Sequence, residues 1–95
     1  MHALDALGNP VRRDILKKLR KRPLSVQELS DRFPVSRPAV SRHLRILEAA
    51  GLVESQVEGA RHLYAVRTQG FTEVRDFLDD FWDAALTRLE ELARK

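Results

Sequence analysis

The sequence predicts a mainly α-helical fold that carries one small antiparallel β-hairpin. Apolar residues recur at helical spacing over the first half of the chain, the period changes to two over residues 52–66, and the helical period returns from about residue 70. A chain of 95 residues is long enough for one such domain and too short for two. We therefore expect a single domain over residues 1–95.

The composition favours a small binding module over an enzyme or a membrane protein. Hydrophobic residues make up 43% of the chain and charged residues 33%, so it can bury a core and keep a polar surface. The longest stretch without a charged residue is Ala6–Val11, far shorter than the roughly 20 apolar residues of a membrane helix. A core this small can scarcely enclose a catalytic pocket. Because there is no cysteine and no apolar leader, we expect a cytoplasmic protein without a cofactor.

The positive charge is concentrated in the first two thirds of the chain. Residues 1–68 hold 13 Lys and Arg against 7 Asp and Glu, whereas residues 69–95 hold 4 against 7. Arg supplies 13 of the 17 cations, and its planar fork suits phosphates and guanine edges. This distribution points to a polyanionic partner, and an ordinary solvated surface is the alternative.

The first helix is predicted by a capping residue and a proline at its start. Asn9 can cap the helix, and Pro10 suits its first position. Apolar residues then follow at helical spacing until Pro23, which cannot continue a helix. We expect a helix of about three turns between them.

The next two helices form a predicted helix-turn-helix. Ser25 and Glu28 make a capping box, and the short helix that they open ends before Pro34. Ser36 can cap a third helix of about residues 36–50, with Gly51 as its left-handed stop. Two short helices joined by a tight turn are typical of this motif.

A β-hairpin follows the third helix. The runs Leu52–Val57 and Arg61–Val66 are compatible with strands, and Glu58–Ala60 between them places Gly59 where a positive φ is needed. A two-stranded ribbon after a helix-turn-helix is a wing, here at about residues 52–66. The predicted architecture is a winged helix-turn-helix.

Residues 70–95 are predicted to form a long helix with a broad apolar stripe. The stripe is larger than this small core can bury, and left in water it would aggregate. We therefore expect a homodimer held by this helix and by the segment around Leu4 and Leu7. The predicted dimer residues of the helix are Phe71, Val74, Phe77, Leu78, Phe81, Trp82, Leu86 and Leu89.

The third helix separates into an apolar and a basic face. Val40, His43, Leu44 and Leu47 fall together as the inward side. The opposite side has no acidic residue over its first three turns, which suits the major groove of duplex DNA. A basic but merely solvated face is the alternative, and the preceding turn and following wing favour DNA. The residues of this opposite side are Pro38, Ser41, Arg42 and Arg45, and Arg37 lies beside them.

Residues 35–53, VSRPAVSRHLRILEAAGLV, resemble the signature of ArsR-type winged helix-turn-helix transcriptional repressors. The opening Leu7–Leu16 and the wing segment Glu58–Tyr64 resemble the same family. The resemblance implies a homodimeric, sequence-specific repressor, often acting on its own operon. In that family the recognition helix enters the major groove of operator DNA, and the wing reaches the minor groove or the backbone. Matched by residue, it supports DNA contacts for Ser36, Arg37, Ser41, His43, Arg45 and Arg61.

Two histidines near the predicted interface each leave two roles open. His43 lies at the inward edge of its helix, where a hydrogen-bonded structural imidazole is favoured over ligand binding, and the pattern of the resembled family leaves a phosphate contact open. His62 follows Arg61 in the wing and either touches the DNA backbone or is solvated. We include both histidines among the candidate DNA-binding residues.

The chain departs from the metal sensors of the resembled family. Their sites use cysteines in the helix before the turn, or Asp and His on the final helix. Here Gln27–Asp31 holds no soft ligand, and the final helix has no His. Its four aspartates, at positions 76, 79, 80 and 83, are expected to form a solvated face. The sequence resembles a metal-independent branch, and we expect no metal site.

Two other functions stay open at this point. The Arg-rich face could bind an acidic protein partner, which would make the chain a protein-interaction module. Alternatively, the repressor could respond to a small organic effector held by aromatic residues at the dimer interface. The sequence does not identify such an effector.

Overall fold

The computed structural model describes residues 2–94, which form helices around a small core and a two-stranded antiparallel sheet. The predicted mainly α fold with one hairpin is confirmed. A 3₁₀ turn at Thr68–Phe71 precedes the last helix. The elements in chain order are α1 (Ala3–Ala6), α2 (Pro10–Leu19), α3 (Val26–Ser30), α4 (Arg37–Ala49), β1 (Val53–Glu58), β2 (Arg61–Val66) and α5 (Thr72–Ala93).

Side-chain caps begin α2, α3 and α4, as predicted, whereas the short α1 has no side-chain cap. Asn9 Oδ1 accepts from the Val11 amide at 2.8 Å. Ser25 and Glu28 form the reciprocal capping box, with both hydrogen bonds at 3.1 Å. Ser36 Oγ accepts from the backbone of the third residue after it at 3.2 Å. Each cap satisfies an amide that the helix leaves without an internal partner.

The hairpin pairs in the register that its turn dictates. Val53 lies opposite Val66, and Glu58 opposite Arg61. Gly59 has φ +62°, so the predicted left-handed turn residue is confirmed. On its other edge, β2 exchanges backbone hydrogen bonds between Tyr64 and Leu24, at 2.8 and 3.0 Å. The link between α2 and α3 is therefore fastened to the wing.

The core lies between α1, α2, α3, α4, the start of α5 and the base of the hairpin. Val40, Leu44 and Leu47 are completely buried, which confirms the inward face of α4. Gly51, at φ +78°, ends this helix and turns the chain into β1. Burial of one face of α4 leaves its other face toward solvent.

Only the beginning of α5 packs against this core. Val74 is 8% exposed and belongs to the core of its own chain, so it does not contribute to the exposed stripe in which the sequence placed it. The 3₁₀ turn brings the chain back over the core at this point, and the rest of the 22-residue helix extends away. The chain is elongated, 63 × 26 × 24 Å. The helix begins at Thr72 rather than at residue 70, and residue 95 lies outside the described residues.

Within residues 2–94, no helix combines the length and the apolar character of a membrane span.

Candidate nucleic-acid interface

The solvent face of α4 carries most of the predicted DNA-binding residues. Arg37, Pro38, Arg42 and Arg45 are exposed, and Ser41 is half-buried at the edge of the face. The first acidic residue of the helix is Glu48, near its carboxyl end. The face therefore presents guanidinium groups without a neighbouring carboxylate on the same helix.

Ser36 lies at the amino end of this face and is also its cap. Its oxygen accepts the Ala39 amide at 3.2 Å, which leaves the hydroxyl proton free to donate outward. A hydroxyl in this position can meet a phosphate oxygen without giving up the cap. Ser36 thus caps α4 and keeps a hydroxyl proton that can be donated to a phosphate oxygen.

His43 connects α4 to α2 rather than facing solvent. Its Nδ1 lies 3.5 Å from Nη1 of Arg12, whose Nε donates to the Ala6 carbonyl at 2.7 Å. Half-burial lowers the pKa of His43 below its ordinary value, and the positive charges of Arg12 and Arg42 lower it further. The neutral imidazole can accept from Arg12, so the geometry favours the structural role for this histidine.

Arg61, at the start of β2, is held by a carboxylate of α3. Its Nη2 donates to Oε1 of Glu28 at 2.5 Å, and Oε2 of Glu28 lies 3.5 Å from Arg22. The hydrogen bond from the Ser25 amide lowers the pKa of Glu28 below its ordinary value, and the two arginines lower it further against the opposing effect of desolvation. Glu28 is therefore a charged bridge between the helix-turn-helix and the wing.

Sequence reasoning identified Glu28 only as a capping residue. Its second role, holding Arg61, depends on β2 lying next to α3, and the sequence pattern does not indicate that contact.

His62, the residue of the wing that follows Arg61, is exposed and stacks on Tyr64 with ring centroids 5.2 Å apart.

A shallow cleft brings the two predicted parts of the interface together. Its volume is about 360 Å³, and it lies between the start of α3, the start of α4 and the wing. Arg42 and Arg45 lie farther along α4 and do not line this cleft. The lining residues are Ser25, Val26, Gln27, Arg37, Arg61 and His62.

The predicted dimer residues divide into two sets. Leu4, Leu7 and Phe71 are partly buried against the core of their own chain. The α5 residues beyond Val74 are exposed, from 42% to 66% of their surface, and Leu92 extends the same stripe by almost one turn. The exposed set comprises Phe77, Leu78, Phe81, Trp82, Leu86 and Leu89.

The acidic face of α5 does not form a compact ligand set. Within residues 2–94, no three His, Cys, Asp or Glu side chains are grouped so that they could hold a metal ion. The aspartates at positions 76, 79, 80 and 83 are all exposed along the helix.

Known proteins match this chain in sequence, one of them over almost its whole length. The model of the family described as "Bacterial regulatory protein, arsR family" matches residues 9–55. The HTH-type transcriptional regulator Rv2034 of Mycobacterium tuberculosis is 43% identical over 95% of this chain and 84% of the relative. The HTH-type transcriptional repressor SmtB of the same species is 46% identical over 64% of this chain and 45% of the relative.

Solved structures agree with this similarity. An ArsR-like transcriptional regulator from Rhodococcus sp. RHA1 superimposes with a TM-score of 0.78 and 32% identity, covering 96% of this chain and 86% of the other. Since both its sequence and its fold match over nearly their full extent, the chain belongs to the arsR family of bacterial regulatory proteins.

Proposed function

We propose that the protein is a sequence-specific transcriptional repressor that binds operator DNA as a homodimer in the cytoplasm. One observation carries the proposal: the exposed face of α4 holds three arginines and no carboxylate before Glu48. The first turns of this face carry no acidic group that would repel DNA phosphates. The face therefore suits a phosphate-lined groove.

In this proposal α4 lies in the major groove. Arg42 and Arg45 are placed to read base edges, because a guanidinium can pair with O6 and N7 of guanine at once. Ser36 and Arg37, at the amino end of the helix, meet the backbone and fix its register. Ser41 and Pro38 contribute contacts at the edge of the same face.

The wing supplies a second contact in this proposal. Arg61 and His62 reach the minor groove or the backbone beside the half-site. Since Glu28 already holds Arg61, a phosphate must compete with this carboxylate for the guanidinium. The wing contact therefore adds less affinity than a free arginine would.

The exposed stripe of α5 makes the homodimer part of the proposal. One helix-turn-helix contacts too few base pairs for useful specificity. Two copies related by a two-fold axis place their α4 helices on half-sites about 34 Å apart, one turn of DNA.

We favour repression over activation for a physical reason. Occupying a site that overlaps a promoter requires only the DNA-binding surface and the dimer, whereas activation requires a further contact with the polymerase. Relatives include proteins named as repressors and one named transcriptional activator HlyU, of Vibrio cholerae, which is 37% identical over 80% of this chain. A promoter reporter separates the two directions.

We further propose that this regulation needs no metal. Residues 27–31 contain no cysteine or histidine, and soft or borderline metals favour such ligands. A small organic effector in the aromatic surface of α5 remains compatible with the proposal. Adding zinc, cadmium or arsenite should leave the affinity for operator DNA nearly unchanged.

A mobility-shift titration with DNA from just upstream of the coding region tests the proposal. We expect binding to an inverted repeat that survives competitor DNA and weakens steeply as salt rises, because each neutralised phosphate releases counterions. Affinity that stays flat between low and physiological salt would overturn it. Binding of an acidic protein but not of DNA would favour the interaction module instead.

A further inference from the structure

The carboxyl end of α2 carries a dense group of cations that the proposed interface does not use. Residues 17–22 read KKLRKR, so five of six positions are basic. Leu19, the exception, is buried in the core, while the five cations are exposed. We call Lys17, Lys18, Arg20 and Lys21 the α2 basic cluster, because Arg22 is engaged with Glu28 at 3.5 Å.

The fold neutralises little of this charge. Lys17 approaches Asp14 at 4.0 Å. Across residues 2–94, no carboxylate lies within 4 Å of the charged groups of Lys18, Arg20 or Lys21. Two cations in the last turn of α2 are explained by attraction to the carbonyl end of the helix. Additional like charges beyond the helix end repel one another, so the stability of the fold does not account for them.

The position of the cluster links it to the proposed DNA surface on two sides. Its four side chains and Asp14 line one cleft together with Phe33. Phe33 precedes the cap of α4, Ser36, by three residues, which span at most about 10 Å. On the other side, Arg22 shares the Glu28 carboxylate with Arg61 of the wing.

The residue types indicate what the cluster binds. Three of the four lysines in the chain lie in it, whereas the cations of α4 are all arginine. Lysine is a compact point charge that pairs with phosphate without a fixed geometry, while the planar fork of arginine pairs with phosphates and can also read the edge of a base. A row of backbone phosphates is therefore a better match for the cluster than a base edge.

We infer that the α2 basic cluster binds backbone phosphates of the operator duplex outside the base pairs that α4 reads. This inference rests on the proposed function and extends it. The cluster would lengthen the protected DNA and raise affinity without adding sequence discrimination. Each phosphate that it neutralises adds about 0.9 to the slope of log affinity against log salt.

Two matched triple variants test the inference. The cluster variant carries Lys18→Gln, Arg20→Gln and Lys21→Gln, which remove three charges from the α2 basic cluster. The control carries Arg75→Gln, Arg88→Gln and Arg94→Gln, which remove two exposed charges from α5 and one from the residue that caps its carboxyl end. The probe is a duplex selected by the unaltered protein from a random library, in a short form ending at the inverted repeat and a long form with about one more turn, roughly ten base pairs, on each side.

We expect the cluster variant to bind the long duplex at least about tenfold more weakly, with a salt slope smaller by about 2 to 3. The loss should shrink on the short duplex, and the control should bind both forms nearly as the unaltered protein does. Thermal melting of each variant checks that the fold is intact, which is expected because all six side chains are exposed.

Three outcomes would overturn the inference. The first is a cluster variant that binds both duplexes with unchanged affinity and salt slope. The second is a control variant that loses as much DNA affinity as the cluster variant. The third is a cluster variant that loses binding to polyglutamate but not to DNA, which would indicate an acidic protein partner. If instead the unaltered protein bound no duplex in a salt-dependent way, the proposed function itself would fail along with this extension.

Discussion

The Glu28 carboxylate holds Arg61 although 33 residues separate the two in the chain. The same Oε1 atom accepts the Ser25 amide at 3.1 Å, so one oxygen serves a helix cap and a wing anchor. The wing is thus positioned by the helix-turn-helix before any DNA is bound. A rigid wing loses less conformational freedom on binding than a loose one.

Replacing Glu28 by Gln should remove part of the acid sensitivity of the fold. The folded state holds the pKa of Glu28 below its ordinary value, so this stabilisation is present above about pH 4.5 and is lost as the pH falls through the folded pKa. The variant keeps an oxygen for the Ser25 amide but has no charge to lose. Urea unfolding at pH 7 and pH 3.5 should show a smaller drop for Glu28→Gln than for the unaltered protein.

Glu54→Gln, which removes an exposed carboxylate from β1, is the control for that experiment. It should leave the drop in the free energy of unfolding nearly unchanged. An equal drop for Glu28→Gln and the unaltered protein would contradict the bridging role.

Arg45→Ala and Arg61→Ala should weaken DNA binding in different ways. Arg45 is placed to read bases, so its loss should cost about 1–3 kcal/mol on the operator and relax discrimination between sequences. Loss of Arg61 should weaken specific and non-specific duplexes more evenly, because a backbone contact carries no sequence information. Titration of each variant against operator and scrambled duplexes measures both effects. Equal losses for the two variants on every sequence would remove the assignment of base reading to α4.

The caps and turns of this structure could be predicted because their hydrogen bonds join residues that are close together in the sequence. The Ser25 and Glu28 box, the Ser36 cap and the left-handed Gly51 each depend on neighbours within four residues. A periodic apolar pattern likewise predicts which face of α4 is buried. Side-chain chemistry and spacing are sufficient for features of this kind.

Contacts between distant residues could not be predicted in the same way. Arg12 and His43 are 31 residues apart in the chain, and their contact depends on how α2 packs across α4. The burial of Val74 depends on the 3₁₀ turn that precedes α5, because this turn places the first turn of α5 against the core. Neither relationship can be recognised from the periodicity of the sequence. For Val74, the helical spacing is the same whether the side chain faces the core of its own chain or a partner.

The imidazole of His43 should titrate below the ordinary histidine range. Half-burial and the charges of Arg12 and Arg42 disfavour its protonated form in the folded state. As the pH falls below about 6.5, the unfolded chain takes up this proton first. The fold therefore loses stability between that pH and the lower folded pKa, with no further loss below it.

His43→Gln should reduce this loss between pH 7.5 and 5.5. Urea unfolding at the two pH values measures it, and the ring proton shifts of His43 in the unaltered protein report its pKa directly. A His43 pKa above 6.5 would contradict the expected effect of its burial and of the two arginines.

Gly70→Ala should destabilise the fold strongly because two backbone segments meet there. A Cβ at position 70 would lie 1.7 Å from the Gly51 carbonyl oxygen, so the 3₁₀ turn or the α4–β1 junction must shift. Overpacking of this kind costs about 1–3 kcal/mol or more. Gly59→Ala is the comparison, since a Cβ there meets nothing within 4 Å and only the positive φ opposes it. Thermal or urea unfolding should rank Gly70→Ala as the more damaging change.

Phe81→Glu should convert the protein toward monomer and weaken operator binding, although position 81 lies outside the proposed DNA surface. Phe81 and Trp82 are 63% and 66% exposed in the single chain, and Phe77 packs edge-on against Phe81 with ring centroids 4.9 Å apart. A second copy covering this stripe would desolvate both rings, and a buried carboxylate without a partner would oppose that association.

Thr87→Glu is the matched control for this last change, because it adds the same charge to the polar side of the same helix. Sedimentation should show a dimer for the unaltered protein and for Thr87→Glu, and a lighter species for Phe81→Glu. Circular dichroism on the same samples separates loss of association from loss of fold. If the unaltered protein sediments as a monomer at about micromolar concentration while binding operator DNA tightly, the two-fold arrangement of half-sites is wrong, since one α4 helix would then be sufficient for recognition.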